Sequence, residues 1–415
     1  METEEQRRVT RVLWVAEDVT TGSIGTVCRY AAEGVVRLPG WRATVVSLRL
    51  SPSDRIDSAT GVRDVALGLQ KHAPQAFLCW LRENPQHFVI TNAVARIESA
   101  FPYFPQETLH ISGMHDSSRL HVDVAVRNHR YLDGVACVAT HIEESMRTRL
   151  DRVNFMGLLE TVHNGAAFPP TPSRASYSGP IRLLFIGSMD PFKGILDLVP
   201  ILESLKKLGV PVQLMVVGGR HAFLDRRLNR KHLDSLVTWA GWVPHKDCYR
   251  FAEESDVLLM PSRKEAFGMV TIEAMAMGCV PLAYDVTSGS REIIKHDKSG
   301  LLLPLGNIAA WATAIKSLHD NREKWRRLSG GAMNRARTQF NADIMASRLC
   351  AFLQRVEAHA KLFPSERKPG LPAEIEPKSL SRRSYYQRLS PGVRTWLRNW
   401  IGARPRLCYR LLKHW

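Results

Sequence analysis

The sequence predicts an α/β protein of two doubly wound parallel-sheet domains, and three observations predict it. Its 415 residues exceed what one hydrophobic core usually holds, about 250–300 residues. Short apolar runs alternate with helical stretches in both halves of the chain, the pattern of parallel sheets covered by helices on both faces. Between the halves lies Phe168 to Pro180 (FPPTPSRASYSGP), rich in Pro and Ser and without periodicity, as a linker should be.

In the first half, residues 1–167, the opening strand is Arg11-Val-Leu-Trp-Val-Ala16. The loop Glu17 to Gly25 (EDVTTGSIG) leads into a helix from about Thr26 to Leu38. Its glycines do not form G-x-G-x-x-G, so a dinucleotide site is unsupported. Gly22 and Gly25 stand either in a structural turn or beside a ligand, since ligands meet parallel sheets at such loops. Further strands are expected at Ala43–Leu48, Phe88–Ile90, Thr108–Ile111 and Gly134–Ala139. Helices are expected near Val62–His72, Pro74–Asn84, Val94–Ala100 and His141–Leu150. Gly113-Met-His-Asp116 places His115 at a strand end, hence at the rim of a cleft, although a lone His is ordinarily structural. The basic run Arg119 to Arg130 reads as a solvated face, with acceptor binding as the alternative. Thr161-Val-His-Asn-Gly165 ends in an Asn-Gly turn signal.

The second half, 181–340, opens with Arg182–Ile186, then Gly187-Ser-Met-Asp-Pro-Phe-Lys193-Gly194 and a helix. Lys193 near that helix start would give a phosphate its cation. Val212 to Gly219 is a strand ending in Gly218 and Gly219, and Val237 to Pro244 is another. After a short helix, Tyr249–Ser255, the run Asp256–Met260 reads as a buried strand. It feeds PSRKEAFGMVTIEAMAMGCVP, Pro261 to Pro281. Glu265 precedes the helix expected there, and Glu273, eight residues on, lies nearly two turns inside it. The free N–H groups and positive dipole end of that helix suit a phosphate. The two acids flank it and are able to accept hydrogen bonds from sugar hydroxyls. The bland alternative is a solvent-facing Glu265 and a helix-surface Glu273.

The run P-S-x-x-E-A-F-G-x-x-x-x-E-A-M-A-x-G resembles the E-x7-E signature of family-4 retaining glycosyltransferases, which have the GT-B fold of two Rossmann-like domains facing a cleft. The resemblance implies that Glu265 contacts the donor sugar and that Glu273 binds the nucleotide ribose. It implies that Lys193 and the helix start at Phe267, Gly268 and Met269 hold the diphosphate, and that His115 bonds the sugar near the reacting centre. Backbone groups around Gly241 to Val243 would hold the base. The glycine turns at Gly187 and Gly218 would face the cleft, amides of Gly289 and Ser290 the diphosphate, and the loop at Gly22 the acceptor. One departure stands out: the family loop reads G-R-x-x-x-x-K-G, and Ser188 occupies the Arg position. A bidentate Arg stabilises a leaving diphosphate in a way Ser cannot copy. Arg220 and Arg263 are the candidates to replace it. The resemblance covers about residues 181–320 closely and the first domain in outline, and it implies a helix over 341–363 crossing back to that domain.

The function so implied is metal-independent, retaining transfer of a sugar from a UDP-, GDP- or ADP-linked donor to a glycan or lipid-linked acceptor in cell-surface polysaccharide synthesis. His115, Glu265 and Lys193 would be its catalytic groups, with no cofactor. The absence of any Asp-x-Asp agrees with a mechanism that needs no metal. Two other readings stand beside it: a catalytically weak sugar-nucleotide-binding scaffold, motivated by Ser188, and a sugar-nucleotide epimerase of the same fold.

Composition adds a location. The start, METEEQRRVT, lacks the apolar stretch of a signal peptide, and no run is long and apolar enough for a bilayer. The seven cysteines form no C-x-x-C pair, so reduced thiols and a cytoplasmic protein are expected. The formal charge of +17 points to an anionic partner. After Glu376 come ten basic residues and no acid. Leu389, Val393, Trp396, Leu397, Trp400 and Ile401 fall there on one helical face. This tail, 364–415, and above all 382–415, suits the anionic inner face of a plasma membrane. Packing on the first domain and, least fitting, nucleic-acid binding are the alternatives.

Overall fold

The computed structural model describes residues 9–19, 22–48, 52–68, 73–172 and 179–368; the amphipathic stretch 382–415 lies outside the described residues. The first sheet begins with β1 (Thr10–Ala16), followed by α1 (Gly22–Val36) and β2 (Trp41–Ser47). A hairpin, β3 (Ser53–Ile56) and β4 (Arg63–Ala66), precedes α2 (Ala73–Glu83) and β5 (Phe88–Asn92). A three-ten helix, Ala95–Tyr103, leads to β6 (Leu109–Met114) and α3 (Arg119–Arg127). The unit ends with β7 (Gly134–Cys137), α4 (Thr140–Asp151) and β8 (Leu158–Thr161). Strand order is β3-β4-β2-β1-β5-β6-β7-β8, and among the described strands of this sheet only the β3–β4 pair is antiparallel.

The second sheet is parallel throughout, in the order β11-β10-β9-β12-β13-β14. Its elements are β9 (Ile181–Ile186), α5 (Leu198–Lys207), β10 (Val212–Val217), α6 (Ala222–Arg230) and β11 (Val237–Gly241). Then follow α7 (Cys248–Glu253), β12 (Val257–Met260), α8 (Met269–Ala276) and β13 (Val280–Tyr284). The short α9 (Gly289–Ile293) and β14 (Leu301–Leu303) lead to α10 (Ile308–Asp320), α11 (Arg322–Gln339) and α12 (Ala342–Ala360). Strands such as β12 are apolar and buried along their length, as a sheet covered on both faces requires.

One element differs from expectation. A helix was expected over Val62–His72, but Arg63–Ala66 forms β4 of the β3–β4 hairpin, and 69–72 lie outside the described residues. Asp57 closes its turn, its carboxylate accepting the amides of Ala59 and Thr60. Arg63 clasps Asp54 across the strands at 2.9 Å. Pairing of β4 with the buried β2 overrides a weak helical pattern. At the N-terminal loop α1 starts at Gly22, four residues earlier than Thr26. The helix expected from Phe267 starts at Met269.

α12 follows the second sheet in sequence but packs on the first domain. Met345, Ala346, Leu349, Phe352 and Leu353 share a core with α1 and β1. A second core cluster joins both domains, with Met114 and Val138 from one side and Phe267 and Ile293 from the other. The polar seam between them centres on Glu292. Its carboxylate accepts from Thr140 N and Oγ1 at 3.0 Å, and it meets His163 Nε2 at 2.8 Å and His141 Nδ1 at 3.3 Å. Among the described residues the six cysteines are all unpaired, and no helix is long and apolar enough to cross a membrane.

Candidate functional site

The site is assembled at the C-terminal ends of β9, β10, β12 and β13, where open parallel sheets bind ligands. Two loops meet there. The loop after β9 carries Lys193, and the loop after β12 carries Glu265. Gly194, with φ of 75°, lets them touch: a Cβ there would stand 1.9 Å from the carbonyl oxygen of Pro261. The amide of Arg263 donates to Phe192 O at 2.8 Å. So held, Lys193 Nζ donates to Glu265 Oε2 at 2.7 Å, with both side chains mostly buried.

Gly268 then turns the chain into α8 with φ of 108° and no side-chain cap, leaving the first amides of the helix without intrahelical acceptors. Glu273 lies within α8 and is buried, with its Oε1 accepting from His245 Nε2 at 2.8 Å. That hydrogen bond, foremost, raises the His245 pKa above its ordinary value, against the effect of burial. His245 also faces Tyr30 of α1 and Tyr249 of α7, whose hydroxyls are 3.4 Å apart. One helix thus carries a free N-terminus between a carboxylate paired with Lys and a carboxylate paired with His. An anion fits the first feature, and vicinal hydroxyls fit the acids.

The other candidates fall as follows. Gly187 and Gly218 knit neighbouring strand ends: Gly187 N donates to Val217 O at 3.0 Å and Gly218 N to Gly241 O at 2.8 Å. Beside them Trp242 is 77% exposed, with its indole nitrogen against Gly219, while Val243 packs on the shared core. Met269 packs on both domains. Phe267 is buried against His163 and Phe340, so only its backbone is placed to meet a ligand. Ser290 is buried, and Gly22 is the exposed first residue of α1. His115 follows β6 and bonds Asn92 at 2.7 Å. Burial, aided by nearby His121, pushes its pKa down to about 4.

Three expectations change. The amide of Gly289 donates to Glu265 O at 3.1 Å, so it braces the loop instead of facing a diphosphate. Arg263 Nη2 donates to both carboxylate oxygens of Asp197, at 2.9 and 3.2 Å, and the guanidinium lies over Tyr284. Arg220 pairs with Asp225 at 2.8 Å and lies over Trp239. Both proposed replacements for the missing Arg therefore already hold carboxylates. Ser188 itself donates to Asp190 at 2.6 Å. Sequence reasoning passed over Asn92 at the end of β5, His245, and Glu292 in α9; single polar residues whose partners are distant carry no spacing signal. Among the described residues no cluster of His, Cys, Asp and Glu is arranged to hold a metal ion.

Two parallel-sheet domains closed by a returning helix, with a cation, two acids and a helix start in the cleft, define the GT-B class of folds. Residues 171–335 match the family described as glycosyl transferases group 1. It is 25% identical over 209 residues to glycogen synthase of Mycobacterium tuberculosis, covering 49% of this chain and 50% of that one. The chain spans about half the length of the curated relatives it matches. Its fold is similar to that of sucrose-phosphate synthase from Thermosynechococcus elongatus, with a TM-score of 0.70 at 19% identity, over 84% of this chain and 99% of the other. Anabaena HepE, solved with UDP and glucose, gives a TM-score of 0.66 at 16% identity, over 83% and 100% of the two chains.

Proposed function

We propose that the protein transfers a glycosyl group from a nucleotide diphosphate sugar to a hydroxyl acceptor, with retention at the anomeric carbon. The observation that carries this reading is the pairing of both acids around one uncapped helix start, Glu265 with Lys193 and Glu273 with His245. Lys193 and the amides at Gly268 and Met269 take the diphosphate, Glu273 the ribose, and Glu265 and His115 the sugar. The bond from the anomeric carbon to the diphosphate oxygen breaks, and a bond to the acceptor oxygen forms on the same face. The acceptor proton passes to the departing phosphate oxygen, so no side chain need act as base.

The solved neighbour with UDP and glucose makes UDP-glucose the first donor to try, ahead of GDP- and ADP-linked sugars. The glycogen synthase relative supports a glycan acceptor, in keeping with a role in surface polysaccharide synthesis. The basic tail supports a lipid-linked acceptor at the inner face of an anionic membrane. Ser188, bonded to Asp190, supports a second reading: a scaffold that binds the nucleotide and turns over slowly.

A thermal-shift panel of UDP, GDP, ADP and their sugars, with chelator, tests the site. One nucleotide should stabilise the protein by several degrees, and Glu273→Ala should abolish the shift. No shift with any nucleotide would overturn the donor site. A shift without transfer would favour the scaffold.

A further inference from the structure

Beside His115 the first domain holds a buried amide, Asn92, that the reading above leaves without a role. Asn92 ends β5 and is buried, and Gly113 lies beside it in the register of β6. The Asn92 amide nitrogen donates to Val15 O at 3.2 Å and Ile90 O at 3.1 Å. Both its hydrogens are used, so the amide oxygen points the other way. There it meets His115 Nε2 at 2.7 Å. A Cβ at position 113 would stand 2.5 Å from that oxygen, so glycine alone leaves it room. An oxygen can only accept, so Nε2 carries the hydrogen, and the lone pair of the neutral ring lies on Nδ1. Among the described residues Nδ1 has no hydrogen-bond partner, and it is not sealed from solvent.

We infer that Asn92 is a positioning residue: it fixes His115 in the Nε2–H tautomer so that Nδ1 accepts a hydrogen bond from a hydroxyl of the donor sugar. The inference rests on the reading of the cleft as a donor site. A sugar hydroxyl is a donor as well as an acceptor, so a ring fixed as acceptor selects one orientation of that hydroxyl. Neutrality matters too. Glycosyl transfer builds positive charge on the sugar ring, which an adjacent imidazolium would repel. The titratable groups facing His115 are His121 and Asp116, 2.7 Å apart. Burial and His121 disfavour the imidazolium, and Asp116 opposes them.

The test uses the full chain labelled with 15N-histidine. Long-range proton–nitrogen correlation should show His115 as the Nε2–H tautomer, unprotonated at Nδ1, across about pH 5 to 8. Asn92→Ala should mix the tautomers, and Gly113→Ala, which crowds the amide oxygen, should do the same. Both should lower kcat for UDP release from UDP-glucose by about tenfold, the worth of one hydrogen bond, while the thermal shift given by UDP stays unchanged. Asn92→Asp keeps an acceptor but adds charge, so its kcat should acquire a new acidic limb as the ring pKa rises. An Nδ1–H tautomer in the wild type, or an unaltered kcat in a folded Asn92→Ala, overturns the inference. The wild-type spectrum needs neither a variant nor a nucleotide. Failure of UDP to bind the wild type would sink the donor-site reading, and with it the hydroxyl contact, while the spectrum decides the tautomer separately.

Discussion

Lys193 Nζ and Glu265 Oε2 lie 2.7 Å apart and join the loops that follow β9 and β12. The cation proposed for the phosphate and the acid proposed for the sugar thus neutralise each other. Binding of a donor would replace that pair with two better-matched contacts. The pair therefore works as a unit, and units are non-additive under mutation. Lys193→Ala and Glu265→Gln should each lower kcat/KM by about 10²–10³-fold, the worth of one transition-state contact. The double variant should cost much less than the product of the two. Steady-state kinetics on the three variants decides, and multiplicative losses would argue that the residues act apart.

His245 gives the site a pH dependence with a defined sign. Its hydrogen bond to Glu273 raises its pKa in the fold. The stability this adds is complete below the ordinary histidine value of about 6.5 and is lost as pH rises through the raised value. His245 is well exposed, so that contribution is small. Its larger effect should be on binding, because the ribose proposed to bind Glu273 would compete with protonated His245 for that carboxylate. UDP affinity should therefore rise as pH rises through the His245 pKa, and His245→Ala should flatten the profile. Titration calorimetry across that range is the check; an unchanged slope in His245→Ala would remove His245 from the site.

The parallel order of both sheets and the placing of Glu265 and Glu273 around a helix start were legible in the sequence. Buried parallel strands are continuous apolar runs, and the E-x7-E stretch is local. What was not legible depends on tertiary partners. The β3–β4 hairpin hangs on pairing with β2, which a local helical pattern does not reveal. Asn92 meets His115 from 23 residues away, and His245 meets Glu273 from 28. Arg263 looked available until the fold put Asp197 beside it. Long-range pairs of this kind have no period to read.

Glu292 is a polar link between the domains. Burial works to raise its pKa, yet hydrogen bonds from His141, His163 and Thr140 hold it well below the usual carboxylate range. A depressed carboxylate contributes stability above its unfolded pKa and loses it as pH falls. Glu292→Gln should cost about 2 kcal/mol at neutral pH, as for a hydrogen-bonded charge. The cost should shrink below about pH 4.3, the ordinary glutamate value. Urea unfolding of both proteins at neutral and acid pH measures this, and an equal cost at both would show that the charge is irrelevant.

The last described residues form a strap over the first domain. Glu366 N donates to Arg130 O and Lys368 N to Pro102 O, each at 2.7 Å. Between them Arg367 reaches Asp133 at 2.9 Å, where the two side chains are only 6% and 2% exposed. It also donates to the carbonyls of Thr108 and Tyr131. Asp133 in turn accepts the amide of His110 at 2.7 Å. Burial first, and then Arg367, keeps His110 far below its usual pKa. Removing one partner of a buried pair strands the other, at about 3–5 kcal/mol. Arg367→Ala should therefore lower the unfolding free energy by that amount, and a chain ending at residue 363 should suffer the same loss. A chain ending at residue 368 keeps Arg367 and should match the full chain in stability while losing the basic tail. If that tail serves an anionic surface, the same shortened chain should no longer sediment with phosphatidylserine-containing vesicles. If it instead packs on the fold, the shortened chain should melt early.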